Sequence, residues 1–159
     1  MQVVTPALIT LLRQHFRLDW RGIHGAGHWA RVRHNGLLLC EATGASPRVV
    51  EAFAFLHDSC RLDDNRDPHH GARAAAFVRT LAHELLMLNE QELALVCFAC
   101  EGHSRGGLHA DLSVQVCWDA DRLDIGRVGT YPNPDRLCTD AARDFQFMHD
   151  AYKRSVSVS

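Results

Sequence analysis

The sequence predicts an all-α fold, a single compact helical bundle, and three observations carry that reading. Apolar residues recur at three- and four-residue spacing through most of the chain, and alternating strand-like runs are few. Four of the five prolines directly follow a helix-capping residue, at Thr5-Pro6, Ser46-Pro47, Asp67-Pro68 and Asn133-Pro134. A capping oxygen followed by a residue with fixed φ and no N–H to satisfy is how a helix opens. Helices are therefore expected near 6–17, 26–42, 47–60, 68–88, 90–102, 111–125 and 139–153.

Each helix has its own support. The first opens at Thr5-Pro6, and the second carries the apolar period from Val32 to Leu39. Asn35-Gly36, a dipeptide that signals a hairpin, falls inside that period and is read as helical. The third opens at Ser46-Pro47 and repeats Val50, Phe53 and Leu56, and the fourth repeats Ala74, Phe77, Val78, Leu81, Leu85 and Leu88. Leu93 to Cys100 marks the fifth, and Val114, Trp118 and Ile125 mark the sixth. The last residues, 154–159, end in SVSVS and are expected to form a disordered tail after the final helix.

Size and charge bound the function. A chain of 159 residues fits one domain, 1–159. With 47% hydrophobic and 23% charged residues, and no apolar run near the roughly 20 that span a bilayer, no membrane role is expected. The formal net charge of −2 gives no field strong enough to hold a nucleic-acid polymer. The N-terminal stretch has no basic leader and no small-residue cleavage site, so a cytoplasmic location is expected. Cys40, Cys60, Cys97, Cys100, Cys117 and Cys138 lie in apolar stretches and read as reduced core residues, the CxxC of Cys97 and Cys100 included.

Histidine is the unusual residue, with 11 in the chain. A single histidine on an apolar face is usually a satisfied core residue, so the argument rests on their number and placement. His57 continues the Val50, Phe53 stripe; His70 precedes Ala74 by four; His28 precedes Val32 by four; His103 follows Cys100 by three. Four helices each send one imidazole inward. On the sixth helix Asp121 shares the buried face of Val114 and Trp118, whereas Asp119 points well around from it. Burying an ionised carboxylate without a partner costs several kcal/mol, and a shared cation resolves that. Imidazole and carboxylate ligands without Cys suit Mn, Fe, Co, Ni or Zn, and six ligands exceed one tetrahedral ion, so two ions sharing Asp58 or Asp121 is the natural count.

The ordered set His28, His57-Asp58, His70, His103 and Asp121 resembles the HD-domain superfamily of metal-dependent phosphohydrolases. The resemblance covers an HD core at about 24–129. It runs through HGxxHWxRV at His24 to Val32, HDSCR at 57–61, DPHHGARAA at 67–75, GHSRGG at 102–107 and DADRLD at 119–124, and leaves a C-terminal helix at about 139–153 outside it. It implies an all-helical fold and a site of one or two divalent transition-metal ions. Members with the two extra histidines bind two metals through all six residues, which assigns the metal to His28, His57, Asp58, His70, His103 and Asp121. His57 and Asp58 are the central catalytic pair. His69 competes with His70, but the residue immediately before Gly71 is the one that matches. His149-Asp150 is a second His-Asp pair with no ligand pattern after it and is read as unrelated to the site.

The activity this implies is hydrolysis of a phosphate ester or anhydride by a metal-bound hydroxide, on a nucleotide or another small phosphorylated compound. Arginines near the ligands supply charge for a phosphate: Arg122 beside Asp121 is the first candidate for substrate binding and Arg61 the second, with His24 a further pocket residue. Arg73 and Arg105 also follow ligands closely. No general acid is assigned; Asp63, Asp64 and Asp67 are candidates. Two alternatives stand beside the hydrolase, an HD-fold di-iron oxygenase and a non-catalytic nucleotide-binding protein. Metal content with oxygen consumption separates the first, and tight nucleotide binding without phosphate release the second. Oligomeric state is left open.

Overall fold

The computed structural model describes residues 2–157, and among them there are helices and turns but no strand. Six longer helices form the body: α1 (Pro6–His15), α2 (Ala26–Thr43), α3 (Pro47–Leu56), α4 (His70–Leu81), α5 (Glu90–Gly102) and α6 (Leu112–Arg122). Two 3-10 turns, Ile125–Val128 and Pro134–Arg136, lead to the short α7 (Asp140–Arg143) and to α8 (Phe145–Val156). Helix α2 packs on α3 and α6, α3 packs on α5 and α6, and α4 lies against α5. Trp29, Val32, Leu39, Val50, Phe53 and Leu56 are among the fully buried residues between them. No helix among the described residues is long and apolar enough to cross a membrane.

The capping signals fare unevenly. Thr5 and Ser46 each accept a backbone N–H of their helix with Pro at its first position, as expected. Asn133-Pro134 opens only a 3-10 turn. Asp67-Pro68 lies before α4, which starts at His70, because the Asp67 carboxylate is committed elsewhere: it accepts from the Leu62 N–H at 2.7 Å and from Arg73 at 2.5 Å. Helix α5 begins with a full capping box, Asn89 with Glu92, and spans the expected 90–102.

The expected fourth helix is too long by seven residues, since α4 stops at Leu81 and the chain turns through Met87 at φ +52° to reach the α5 cap. The expected 139–153 helix is split at Asp144, whose extended backbone and side chain cap α8 on Phe147 N–H. Helix α8 then continues to Val156, so the tail expected from 154 is helical over its first three residues. Arg154 is held by Asn35 Oδ1 at 3.0 Å, and Ser155 is buried against Gly126. Positions 158 and 159 lie outside the described residues.

Asn35-Gly36 sits in mid-helix, and its function is packing. A Cβ on Gly36 would stand 2.3 Å from Val50 Cγ1, so its absence lets α3 approach α2, while Asn35 Nδ2 donates to the Ala120 carbonyl of α6 at 3.3 Å. Gly71 does the same for α4: a Cβ there would stand 2.4 Å from the Cys100 carbonyl oxygen of α5. All six cysteines are free.

Candidate metal centre

The helix ends converge on one buried cluster. His57 is the C-terminal cap of α3 and Asp58 follows it; His103 caps α5; His70 is the first residue of α4. His28 lies in the first turn of α2, and Asp121 in the last turn of α6. All six residues expected from the sequence are brought together. His28, His57, Asp58, His70 and His103 are buried and Asp121 is nearly so.

The tautomers follow from what each imidazole touches. His57 Nδ1 faces the Phe53 and Ala54 carbonyls at 3.1 Å, His103 Nδ1 faces the Cys100 carbonyl at 2.7 Å, and His70 Nδ1 faces the Asp67 carbonyl. A carbonyl only accepts, so these Nδ1 atoms carry the proton and donate it. His28 Nδ1 donates to the carboxylate of Asp124 at 2.7 Å. Each neutral ring is then left with a bare lone pair on Nε2.

Those lone pairs point at each other. His28 Nε2 and His57 Nε2 are 3.1 Å apart, and His70 Nε2 and His103 Nε2 are 2.8 Å apart. Asp58 lies between the two pairs with one oxygen toward each. Its Oδ2 is 3.5 and 3.4 Å from His28 and His57, and its Oδ1 is 3.3 and 3.4 Å from His70 and His103. Asp121 Oδ1 joins the first pair at 3.2 and 3.6 Å. With the rings neutral, acceptors face acceptors, which repels unless a metal ion or a proton sits among them. Two nitrogens that share one ion at roughly 2.1 Å each must lie within about 4.2 Å of one another, and both pairs do, at 3.1 and 2.8 Å. The donor set thus fits a divalent metal, with His28, His57 and Asp121 forming one group and His57, Asp58 and His103 a second.

Protons take part in the balance when no ion is present. Burial works against a charged His57, but the carboxylates of Asp58 and Asp121 outweigh it and push its pKa up to about 10. Burial and Arg127 likewise oppose charge on His28, yet Asp121, Asp124 and Asp58 raise it. Burial would raise both carboxyls, but the imidazoles hold Asp58 and Asp121 well below the usual carboxylate range.

The other expected residues are placed as follows. Arg61 Nε donates to Asp58 Oδ1 at 3.1 Å and its Nη1 to the Asp63 carbonyl at 2.9 Å, so it steadies the central carboxylate. Arg122 packs over the Trp118 ring at 5.5 Å and donates to the Arg136 carbonyl at 2.9 Å, on the wall of a cavity that also contains His103. His24 is buried outside that wall, its Nδ1 2.8 Å from Asp64 Oδ1; burial lowers its pKa against the pull of Asp64. Of the acids left open, Asp67 is tied to Arg73, which holds its carboxyl at about 2. His149 stacks on Phe145 of α8, away from the cluster.

Sequence reasoning passed over Asp124. It is fully buried, its Oδ2 holds His28 and its Oδ1 accepts from Arg31 Nε at 2.7 Å, with Arg127 at 3.9 Å. The available signal was its position three residues after Asp121. Asp119 does point away from the cluster, but it is buried: it accepts from the Cys138 and Thr139 backbone and the Thr139 hydroxyl, fastening the segment that leads to α7.

No protein-family model matches the chain and no curated protein is similar to it in sequence. The fold is that of a solved structure described as a predicted HD superfamily hydrolase from an uncultured Thermotogales bacterium. The two share a TM-score of 0.71 and 23% identity over 95% of this chain and 86% of that one. The chain has the HD-domain fold.

Proposed function

We propose that the protein is a metal-dependent phosphohydrolase that cleaves a phosphate ester or anhydride of a small compound. The observation that carries this is the facing of Nε2 atoms in two imidazole pairs, with Asp58 offering one oxygen to each. His28, His57 and Asp121 would hold one ion and His70 and His103 a second, with Asp58 available to both. Divalent ions bound there supply an activated water and neutralise charge on the phosphoryl oxygens.

The protein's own residues do the rest. Asp124 and the backbone carbonyls of α3, α5 and the Asp67 turn fix the imidazole tautomers, and Arg61 fixes Asp58. Arg122, on the wall of the cavity beside His103, supplies positive charge for the phosphorylated substrate. In the net reaction a water oxygen bonds to phosphorus as the bond to the leaving oxygen breaks, and that oxygen takes up a proton. The arginine-bearing cavity beside His103 suits an anionic, phosphorylated substrate.

Metal analysis of freshly purified protein, followed by phosphate-release assays with Mn, Fe, Co, Ni and Zn, tests the proposal. Two ions per chain and metal-dependent phosphate release are expected. A di-iron centre that consumes oxygen, or nucleotide binding with no phosphate release under any of these metals, overturns it.

A further inference from the structure

A cavity of about 800 Å³ opens beside His103, within the size range of small-molecule sites. Its wall carries three guanidinium groups, Arg105, Arg122 and Arg136, and no carboxylate. That is a local departure in a chain whose formal net charge is −2. Arg122 is fixed in place: its Nη1 is bound to the Arg136 carbonyl and its plane rests on Trp118, while its Nη2 is buried with no hydrogen-bond partner among the described residues. Arg105 and Arg136 are exposed, and among the described residues neither side chain makes a hydrogen bond or ion pair. Three like charges around one cavity repel each other, and no packing role explains the outer two. An anion in the cavity resolves both points.

Metal ions at the histidine cluster would neutralise one phosphoryl group, which leaves the arginines surplus to a monophosphate. We propose that they bind a second phosphate, and that the substrate is a compound with at least two phosphates, one at the histidine cluster and the other on Arg105, Arg122 and Arg136. This rests on the phosphohydrolase reading. The bidentate fork of arginine suits phosphate oxygens, and a guanidinium pinned on an aromatic face loses little freedom on binding.

The test compares two probes by calorimetry on the Mn-loaded protein: orthophosphate, and imidodiphosphate, in which a nitrogen bridge prevents cleavage. Imidodiphosphate is expected to bind at least about tenfold tighter. Arg105→Ala and Arg136→Ala should each weaken imidodiphosphate by about tenfold or more while changing orthophosphate far less, and the lysine variants should restore part of the difference. Both side chains are exposed and unpaired, so the fold survives their loss. Equal affinity for the two probes, or an unaltered ratio in both alanine variants, overturns the inference. Phosphate release from pyrophosphate and from 4-nitrophenyl phosphate, run in parallel, separates the two readings. Turnover of either without probe discrimination removes the second-phosphate site alone, and discrimination without turnover of both under any metal removes the hydrolase and leaves an anion site.

Discussion

Replacing Asp124 by Asn keeps shape and volume and removes one charge from the support of His28. The carboxylate accepts from two sides, His28 Nδ1 at 2.7 Å and Arg31 Nε at 2.7 Å. An amide has one accepting oxygen. If that oxygen stays on His28, the NH2 group faces a guanidinium, donor against donor, and Arg31 loses its anion. If it turns to Arg31, the NH2 group faces Nδ1, which can then only accept, so the ring proton moves to Nε2 and the metal-binding lone pair is gone. Either arrangement weakens the site. Loss of such an orienting partner costs about 10- to 100-fold in metal affinity, or about 1.4 to 2.7 kcal/mol. Breaking the Arg31 pair adds about 3 kcal/mol of lost stability, the low end for a buried pair because Arg31 keeps 16% side-chain exposure. Competition with a chromophoric chelator measures the first quantity and urea unfolding of the metal-free protein the second. Metal affinity within twofold of wild type would refute the assignment of Asp124 as the residue that sets the His28 tautomer.

Other expectations concern protons, stoichiometry and packing. Because the His57 pKa stands at about 10 when no ion is bound, metal binding at pH 7 should release protons, seen as a dependence of the calorimetric heat on buffer ionisation enthalpy. The sign of the stability effect follows. A folded-state pKa raised above the unfolded 6.5 stabilises the metal-free protein fully below pH 6.5, and this contribution fades as pH rises through about 10; the metal-loaded protein instead loses its ions as pH falls. A metal-free protein whose denaturation midpoint is flat between pH 6.5 and 10 contradicts this. His57→Ala should abolish metal loading, His70→Ala or His103→Ala should remove one ion of two, and His149→Ala should remove none; elemental analysis decides. Gly71→Ala sets a methyl group 2.4 Å from the rigid Cys100 carbonyl and should destabilise by about 1 to 3 kcal/mol in urea, with weaker binding of the ion held by His70 and His103. Unchanged stability would show that α4 has room to shift.

The sequence made the helices legible where the apolar period ended at a strong local signal. Helix α5 matches its expected span because Asn89 and Glu92 cap it and Gly102 and His103 close it. The fourth helix was overrun because Leu85 and Leu88 keep the apolar period through a turn, where they fill the core without being helical. The split at Asp144 was hidden because a capping residue and a mid-helix aspartate look alike until the backbone is known. In the site, the ligand types and their inward faces were readable from spacing, and the structure gathers all six. What spacing does not encode is which side chain lies behind a ligand: Asp124 meets His28 across 96 positions of sequence. Nor does spacing show that Arg61, a substrate-binding candidate, donates to Asp58, three residues before it.

The anchoring of the imidazoles to main-chain carbonyls bears on how such a protein tolerates change. Three of the four rings take their orientation from the peptide backbone, a group that every residue type supplies, and only His28 depends on another side chain. Neighbouring positions are then free to vary in identity so long as they fill their volume and keep the helix ends in register. The site asks for very few letters of the sequence, and most of the chain answers only to volume and helix register.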